Sequence, residues 1–507
     1  MKQILFDFLD GLRANLLYDP ASPMIFSTSL FLFLFLGVAL VYTALDKKVT
    51  ARLLFITLFS YYFYYKSSGF YFFLLAVVTV SDFLLALAVD WSFNRSIRYA
   101  ETGRKPWSAR FFMFLSLLID LGLLAYFKYA HFFSDIWASL SGKNWITWDI
   151  FLPVGISFFT FQSMSYTIDV YRRELKPLHN LLDYAFYVSF FPQLVAGPIV
   201  RARDFIPQIR KPLAVDSVMF GQGVFLIFAG LFKKAIISDY ISVNFVERIF
   251  DNPSLYSGVE NLFGVYGYAL QIYCDFSGYS DMAIGLALLL GFHFPQNFNS
   301  PYKAWSVTEF WHRWHISLST WLRDYLYISM GGNRKGKIRT YFNLFMTMLL
   351  GGLWHGASWN FVMWGGLHGV ALALHKGFRS LLGRKKGEES HGWKKAMAVF
   401  LTFHFVCFCW IFFRNQSFEN SWVMIGRIFT AFHPEVFVQM IQGYKGVFIL
   451  MLLGYLLHFC PDRWQQWAER GMIRLPLIGQ ALLLVALIYC VIQIKSSDIQ
   501  PFIYFQF

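Results

Sequence analysis

Long apolar runs, separated by short basic loops, recur along most of this 507-residue chain. The clearest run, 24–44, is long enough for one helical crossing of a bilayer, which takes about 20 residues. Apolar residues make up 57% of the chain and charged residues only 15%. In soluble domains about 45–50% of the residues are apolar and about 25% are charged. Because a soluble fold could not cover so much apolar surface, we expect an all-α polytopic membrane protein. A disordered chain, a fibrous repeat and most soluble enzymes are excluded.

Several apolar segments are too short or too polar to cross a membrane alone, so we expect about 11–13 transmembrane or re-entrant helices. The segment 181–197 is predicted to be re-entrant, because Pro192 breaks helical hydrogen bonding and basic residues follow the segment. The candidate segments are 24–44, 51–66, 69–91, 110–130, 151–170, 181–197, 217–237, 256–274, 276–292, 341–358, 361–376, 395–413, 444–460 and 475–496.

One membrane domain is expected over 24–507, with its motifs concentrated in 193–375. Residues 1–23 mix charged side chains with apolar ones, a pattern typical of an amphipathic helix at the membrane surface. These residues are therefore predicted to form an N-terminal interfacial extension.

The net charge of +14 indicates how the chain is oriented in the membrane rather than a nucleic-acid partner, because the basic residues lie in short loops between apolar runs. The basic loops 45–52 and 92–109 are two spans apart and are assigned to the cytoplasmic side. This predicts a multi-pass inner-membrane protein that contacts membrane lipids and has its N-terminus outside. The five cysteines form no CxxC pair, so neither a disulfide framework nor a metal site is predicted.

His355 stands in the most distinctive segment, 348–369, among glycines and tryptophans. A histidine there is expected to be desolvated, and desolvation favours the neutral imidazole. A neutral imidazole can take a proton from a hydroxyl or thiol, and such catalysis is typically worth about 10²–10⁴-fold. The alternative is a buried histidine that only hydrogen-bonds a neighbouring helix. The glycine and tryptophan setting favours the catalytic interpretation, whereas His368 and His375 are predicted to be hydrogen-bonding helix residues.

His312 and His315 are three residues apart and are expected to share one helical face. A metal pair is not favoured, because no carboxylate follows at the spacing of a zinc-binding helix motif.

The neighbouring side chains Arg313 and Asp324 suggest an internal ion-pair network or a grip on an anionic donor. Trp311 either lines a tunnel or anchors its helix at the interface.

Asp275 and Asp281 are six residues apart, a spacing that puts them on different faces of a helix, so they do not form a paired-carboxylate site. Polar residues here are explained equally well as the wall of a buried cavity and as polar contacts between helices. The residues that we consider as substrate or tunnel contacts are Trp311, His312, Arg313, Asp324, Asp275, Tyr279, Asp281, Trp354 and Asn360.

With these motifs the chain resembles the membrane-bound O-acyltransferase (MBOAT) family, in its bacterial alginate O-acetylation branch. The resemblance covers most of 24–415 and is carried by four motifs in the same order. These are QLVAGPIVRARDF (193–205), YCDFSGYSDMAIG (273–285), NFNSPYKAWSVTEFWHRWHISLSTWLRDYLYI (297–328) and GGLWHGASWNFVMWGGLHG (351–369).

The resemblance implies that His355 is the essential histidine and that His315 holds the family's second conserved polar position. It implies tilted helices around a central tunnel that joins a cytoplasmic donor face to an outer acceptor face. Members of this branch commonly work with an extracytoplasmic SGNH-type partner. His312 stands where we expect an arginine, which leaves the local charge network open.

The sequence and the resemblance together predict an O-acetyltransferase with no bound cofactor. Acetyl-CoA, or another acyl thioester, is the expected donor substrate, and an extracytoplasmic polysaccharide is the expected acceptor. His355 would act as general base, and His315 would orient the acceptor or stabilise the oxyanion. The alternatives are D-alanyl transfer to teichoic acid, acylation of a lipid or of peptidoglycan, and a non-enzymatic channel or scaffold.

Overall fold

The computed structural model describes residues 16–20, 23–143, 145–146, 148–195, 197–383 and 391–494. These residues form helices and connecting segments, with no β-strand among them. The all-α prediction is therefore confirmed.

Two compact units make up the described chain. One contains the described residues up to Gly223 together with Ala283–Phe294, and the other contains Val224–Met282 and the described residues from Pro295 onward. The expectation of a single membrane domain over 24–507 stays a prediction.

The α-helices of the first half of the chain are mostly shorter than a full membrane crossing. They are α1 (Ser29–Ala44), α2 (Val49–Ser68), α3 (Phe72–Asn94), α4 (Ile97–Thr102), α5 (Trp107–Leu124), α6 (Ala130–Ser141), α7 (Ile156–Arg172), α8 (Leu181–Ser189), α9 (Phe191–Leu194), α10 (Ala202–Ile209), α11 (Ser217–Leu231), α12 (Asp239–Ile241) and α13 (Glu247–Asp251).

The α-helices of the second half contain most of the predicted site. They are α14 (Gly258–Leu289), α15 (Val307–Arg313), α16 (Ile316–Trp321), α17 (Lys337–His355), α18 (Trp359–Leu381), α19 (Gly392–Arg414), α20 (Phe418–Thr430), α21 (Phe437–Gly443), α22 (Lys445–Phe459), α23 (Asp462–Arg474) and α24 (Leu477–Ile494).

Within the described ranges, three helical stretches are long and apolar enough to cross a membrane: Val49–Asn94, Trp107–Ser141 and Gly392–Arg414. The number rises to five if the bent pairs α21–α22 and α23–α24 each count as one span. These helices fit a multi-pass membrane protein. The 11–13 transmembrane or re-entrant helices and the central tunnel stay predictions.

The separation of 256–274 from 276–292 is wrong, because the single helix α14 runs through both segments without a break. No proline interrupts the sequence there, and glycine alone does not end a helix. Gly278 instead serves a close helix contact. A Cβ atom at Gly230 would lie 2.5 Å from the carbonyl oxygen of Gly278.

The predicted re-entrant segment does contain a break. Helix α8 ends at Ser189, and the single-turn helix α9 carries Pro192 near its start. Phe186 and Phe190 pack against Phe205, with ring centroids 5.6 Å apart in both pairs. Re-entry into the membrane stays a prediction.

The predicted extension 1–23 lies mostly outside the described residues, which here are 16–20 and 23.

Candidate active site

The helical hairpin α17–α18 positions His355, which is the last residue of α17. Glycines allow the two helices to approach each other closely. A Cβ atom at Gly352 would lie 2.4 Å from the carbonyl oxygen of Phe361, and one at Gly365 would lie 2.5 Å from that of Met348. These glycines therefore serve contact between helix backbones.

An aromatic enclosure surrounds the imidazole of His355, which is 2% exposed. Its ring centroid lies 4.9 Å from that of Trp354, 5.0 Å from Trp364 and 5.2 Å from Phe413. All three neighbours meet the imidazole at steep angles, between 69° and 83°. With three bulky rings this close and only 2% of the residue exposed, little water reaches the imidazole, and electrostatic interactions are strengthened where water is excluded.

His315 occupies the break between α15 and α16 and is completely buried. Its φ of 44° lies in the left-handed region, which is uncommon for a residue other than glycine. The expectation that His312 and His315 share one helical face is therefore wrong, because α15 ends at Arg313. The side chain of His312 is 70% exposed and lies 4.0 Å from Glu309 Oε2. The two imidazoles do not form a pair.

The ring of His315 faces other aromatic rings and one amide. Its centroid lies 4.6 Å from that of Phe276 on α14, and its Nδ1 lies 3.2 Å from Oδ1 of Asn297. Burial lowers the pKa of His315 to about 3, because a desolvated imidazolium is disfavoured. The neutral imidazole therefore predominates near neutral pH.

Trp354 connects the two histidines. Its indole ring lies 4.9 Å from the His355 ring and 6.1 Å from the His315 ring, centroid to centroid. The structure thus places both predicted catalytic residues around one buried side chain. Trp354 was itself a predicted contact residue.

Trp311 and two further histidines connect α15 to α18. Nε1 of Trp311 donates a hydrogen bond to Nδ1 of His368 at 3.3 Å. Thr308 Oγ1 and His375 Nδ1 form another hydrogen bond at 2.9 Å. The prediction that His368 and His375 are hydrogen-bonding helix residues is confirmed.

Asn360, at the start of α18, anchors that helix to its neighbours. Its amide nitrogen donates to the carbonyl oxygen of Asn415 at 2.7 Å, and its oxygen accepts from Ser421 Oγ at 3.3 Å. The geometry supports a structural role for this residue.

Arg313 and Asp324 take part in short-range ion pairs. Arg313 Nε lies 2.6 Å from Glu309 Oε1, one turn earlier in α15. Asp324 accepts from the adjacent Arg323 at 2.6 Å, within the π-helical turn Leu322–Tyr327. These contacts favour the ion-pair interpretation over a grip on an anionic donor.

Asp275 and Asp281 pair with two consecutive lysines, Lys234 and Lys233. Lys234 Nζ lies 2.5 Å from Asp275 Oδ1, and Lys233 Nζ lies 2.6 Å from Asp281 Oδ2. Tyr279 follows Asp275 by about one turn of α14 and is 1% exposed. The charged side chains thus connect α14 to the π-helical segment Phe232–Ser238. This arrangement supports polar contact between helices.

Sequence reasoning did not single out the lysine pair or Asn297. Two lysines at the end of an apolar run were a usable signal, because a charge at membrane depth normally has a partner. Asn297 begins the third motif, but only the folded chain shows that it contacts His315. Within the described residues, no group of three or more His, Cys, Asp or Glu side chains is placed to hold a metal ion.

Comparison with known proteins assigns the family. The model of the membrane-bound O-acyltransferase (MBOAT) family matches residues 157–415. The probable alginate O-acetylase AlgI of Pseudomonas aeruginosa is 40% identical over 419 residues, which cover 80% of this chain and 75% of that protein. The protein of the same name from Pseudomonas putida is 34% identical over 507 residues, covering 96% of this chain and 100% of the relative.

A relative with another printed activity is also similar. The peptidoglycan O-acetyltransferase of Helicobacter pylori is 38% identical over 338 residues, covering 62% of this chain and 63% of that protein. The family match spans both histidines and their aromatic surroundings. The chain therefore belongs to the membrane-bound O-acyltransferase family and is an acyltransferase, as its motifs predict.

Proposed function

We propose that this acyltransferase moves an acetyl group from a cytoplasmic thioester, acetyl-CoA, across the membrane toward an extracytoplasmic polysaccharide. The observation that carries the proposal is the pair His355 and His315, both buried and both close to the indole ring of Trp354. Two alginate O-acetylases that are similar over most of their lengths support the acetyl group and the polysaccharide.

In this proposal His355 is the general base. Its imidazole takes the proton from the acceptor hydroxyl, and the hydroxyl oxygen attacks the carbonyl carbon of the thioester. The C–S bond then breaks, and the sulfur leaves as a thiol after taking the proton from His355. An imidazole suits both proton transfers, because its unperturbed pKa lies close to neutral pH.

His315 contributes through hydrogen bonding. It either orients the acceptor or stabilises the oxyanion that forms on the carbonyl oxygen. Its position in a chain break, next to Trp354, is compatible with substrate contact.

The route and the partner complete the proposal. The donor binds at the cytoplasmic face, the acyl group passes along a central tunnel, and an SGNH-type protein outside the membrane finishes the transfer. The protein resides in the inner membrane with its N-terminus outside. The basic loops 45–52 and 92–109 support this orientation.

Peptidoglycan is the second candidate acceptor. The similarity to the Helicobacter pylori peptidoglycan O-acetyltransferase favours it over a lipid acceptor. Both candidates use the same acetyl donor and the same histidines, so the acceptor polymer alone separates them.

The test uses the full chain in lipid nanodiscs with radiolabelled acetyl-CoA, with and without an SGNH-type protein encoded nearby. We expect CoA release and label transfer in the wild type and loss of both in His355→Ala. His433→Ala is the matched control, because the His433 side chain is 56% exposed and pairs with Glu435 in the 3-10 turn before α21.

The outcomes separate the alternatives. Unchanged transfer by a folded His355→Ala protein would overturn the assignment of the base. If the wild type is inactive with acetyl-CoA but turns over a carrier-bound D-alanyl thioester, the donor is the D-alanyl thioester and the acetyl donor is excluded. Label on peptidoglycan rather than on polysaccharide would establish the second acceptor.

A further inference from the structure

Asn297 lies in the segment between α14 and α15 and is 1% exposed. Its side-chain amide forms hydrogen bonds to residues of two different segments, the break that contains His315 and helix α14. The amide oxygen faces His315 and Ser317, and the amide nitrogen donates to Ser280 Oγ on α14 at 3.1 Å. A single buried amide therefore connects α14 to the chain break that contains His315.

The orientation of this amide is determined by a backbone group. The N–H of Ser317 lies 3.2 Å from Oδ1 of Asn297, and a backbone N–H can only donate. The atom that it faces must be the acceptor, which is the oxygen rather than the nitrogen. Ser317 Oγ donates to the same oxygen at 2.9 Å.

This orientation determines the tautomer of His315. Nδ1 of His315 lies 3.2 Å from the same Oδ1, so it must carry the hydrogen in order to form a hydrogen bond. In a neutral imidazole with hydrogen on Nδ1, Nε2 carries a lone pair and acts as an acceptor.

The surrounding backbone holds this geometry in place. The N–H of Ile316 donates to the carbonyl oxygen of Asn297 at 2.9 Å, and the N–H of Asn299 donates to that of Arg313 at 2.9 Å. These bonds on both sides of His315 stabilise its left-handed backbone, which by itself is unfavourable.

We propose that Asn297 is a positioning residue that holds His315 as the Nδ1–H tautomer, so that Nε2 accepts a hydrogen bond from the acyl acceptor. The inference rests on the proposed function and decides between the two roles given there for His315. A neutral imidazole of this tautomer has no hydrogen on Nε2, so it cannot donate to an oxyanion. It binds a hydroxyl or a thiol, which is the chemistry of the acceptor nucleophile.

Three aromatic rings close to His315 are compatible with this assignment. Phe276 faces His315 from α14, Phe298 from the same segment as Asn297, and Trp354 from α17. None of these three side chains titrates, so they supply no charge that would stabilise an imidazolium.

The first test reads the tautomer directly. Full-length protein with ¹⁵N-labelled histidine is placed in nanodiscs, and the His315 signals are assigned by their loss in His315→Gln. We expect protonated Nδ1 and unprotonated Nε2 at pH 7.5. Ser280→Ala is the matched control and should keep this tautomer, because it removes only the partner of the amide nitrogen. A wild-type signal with hydrogen on Nε2 would overturn the proposal.

The second test measures acetyl transfer against pH. Asn297→Asp keeps an oxygen opposite Nδ1 but adds a negative charge, which favours the imidazolium. The acidic limb that His315 sets, near pH 3 in the folded wild type, should therefore move to higher pH by roughly 1–3 units. Asn297→Leu removes the acceptor and should lower transfer by about 10²-fold, the cost of misplacing a reacting group by about 1 Å. An unshifted limb in a folded Asn297→Asp protein would contradict the positioning role.

The two readouts keep the proposals apart. If the wild type transfers no acetyl group but shows the Nδ1–H tautomer, the proposed function fails while the structural assignment stands. If the wild type is active with hydrogen on Nε2, the proposed function stands and the role of Asn297 fails.

Discussion

Lys234 and Asp275 form a 2.5 Å ion pair in which the lysine side chain is 2% exposed and the aspartate side chain 3% exposed. A second carboxylate, Asp239, lies 2.8 Å from the same ammonium. Burying charge is unfavourable unless it is compensated, so removal of one partner costs more than the pair contributes.

Lys234→Met should destabilise the protein by about 3–5 kcal/mol, because it removes the ammonium from between two carboxylates. Lys233→Met is the matched control and should cost less, since the Lys233 side chain is 27% exposed. Thermal unfolding in nanodiscs measures both changes. Equal losses in the two variants would contradict the importance of burial.

Gly365→Ala should destabilise the protein by about 1–3 kcal/mol, as overpacking does elsewhere. The new Cβ atom would lie 2.5 Å from the Met348 carbonyl oxygen and push α18 away from α17. Gly366→Ala is the control on the next residue, where a Cβ atom meets nothing within 4 Å. It should be neutral or stabilising by up to about 1 kcal/mol, the helical preference for alanine. If thermal unfolding ranks the two variants in the opposite order, the close helix contact is wrong.

Stability should fall as the pH drops below about 6.5, the ordinary pKa of histidine. Burial lowers the pKa of His315 to about 3 in the folded state, so between these values only the unfolded state binds the proton. The stabilisation is complete above about 6.5 and is lost by about 1.4 kcal/mol per pH unit below it.

Melting temperatures at pH 7.5 and 5 check this prediction. His315→Gln should show a smaller pH dependence than the wild type. His312→Gln should keep the wild-type dependence, because its side chain is 70% exposed. The same slope in all three proteins would exclude His315 as the titrating group.

Trp354→Ala should reduce both stability and transfer, because its indole packs against His355 and His315. Loss of a buried tryptophan typically costs about 3–5 kcal/mol. Trp354→Phe should recover part of both, since a smaller ring still fills part of the space. Trp393→Phe, at a position that is 72% exposed, controls for the loss of an indole. If Trp354→Ala matches the wild type in activity assays and unfolding curves, Trp354 is not part of the site.

Motif reading located the two histidines but not the geometry between them. The glycines and tryptophans around His355 indicated a buried hairpin, and that hairpin is present as α17–α18. The spacing of His312 and His315 suggested one helical face. The structure shows a helix end there, because Asn297 and neighbouring backbone groups supply the hydrogen bonds of the break. Those partners are distant in sequence from one another, so local periodicity could not reveal them.

Composition and motif spacing were enough to predict the all-α membrane class, the family and the candidate histidines. Each follows from composition or from residues that are close together in the chain, because hydropathy and motif spacing are local properties. Only the packing of the helices shows which charges pair and which glycines meet a neighbouring backbone, and the proposed tautomer of His315 is argued from that packing. Those properties depend on the distance between side chains of different helices, and that distance is set only when the helices pack.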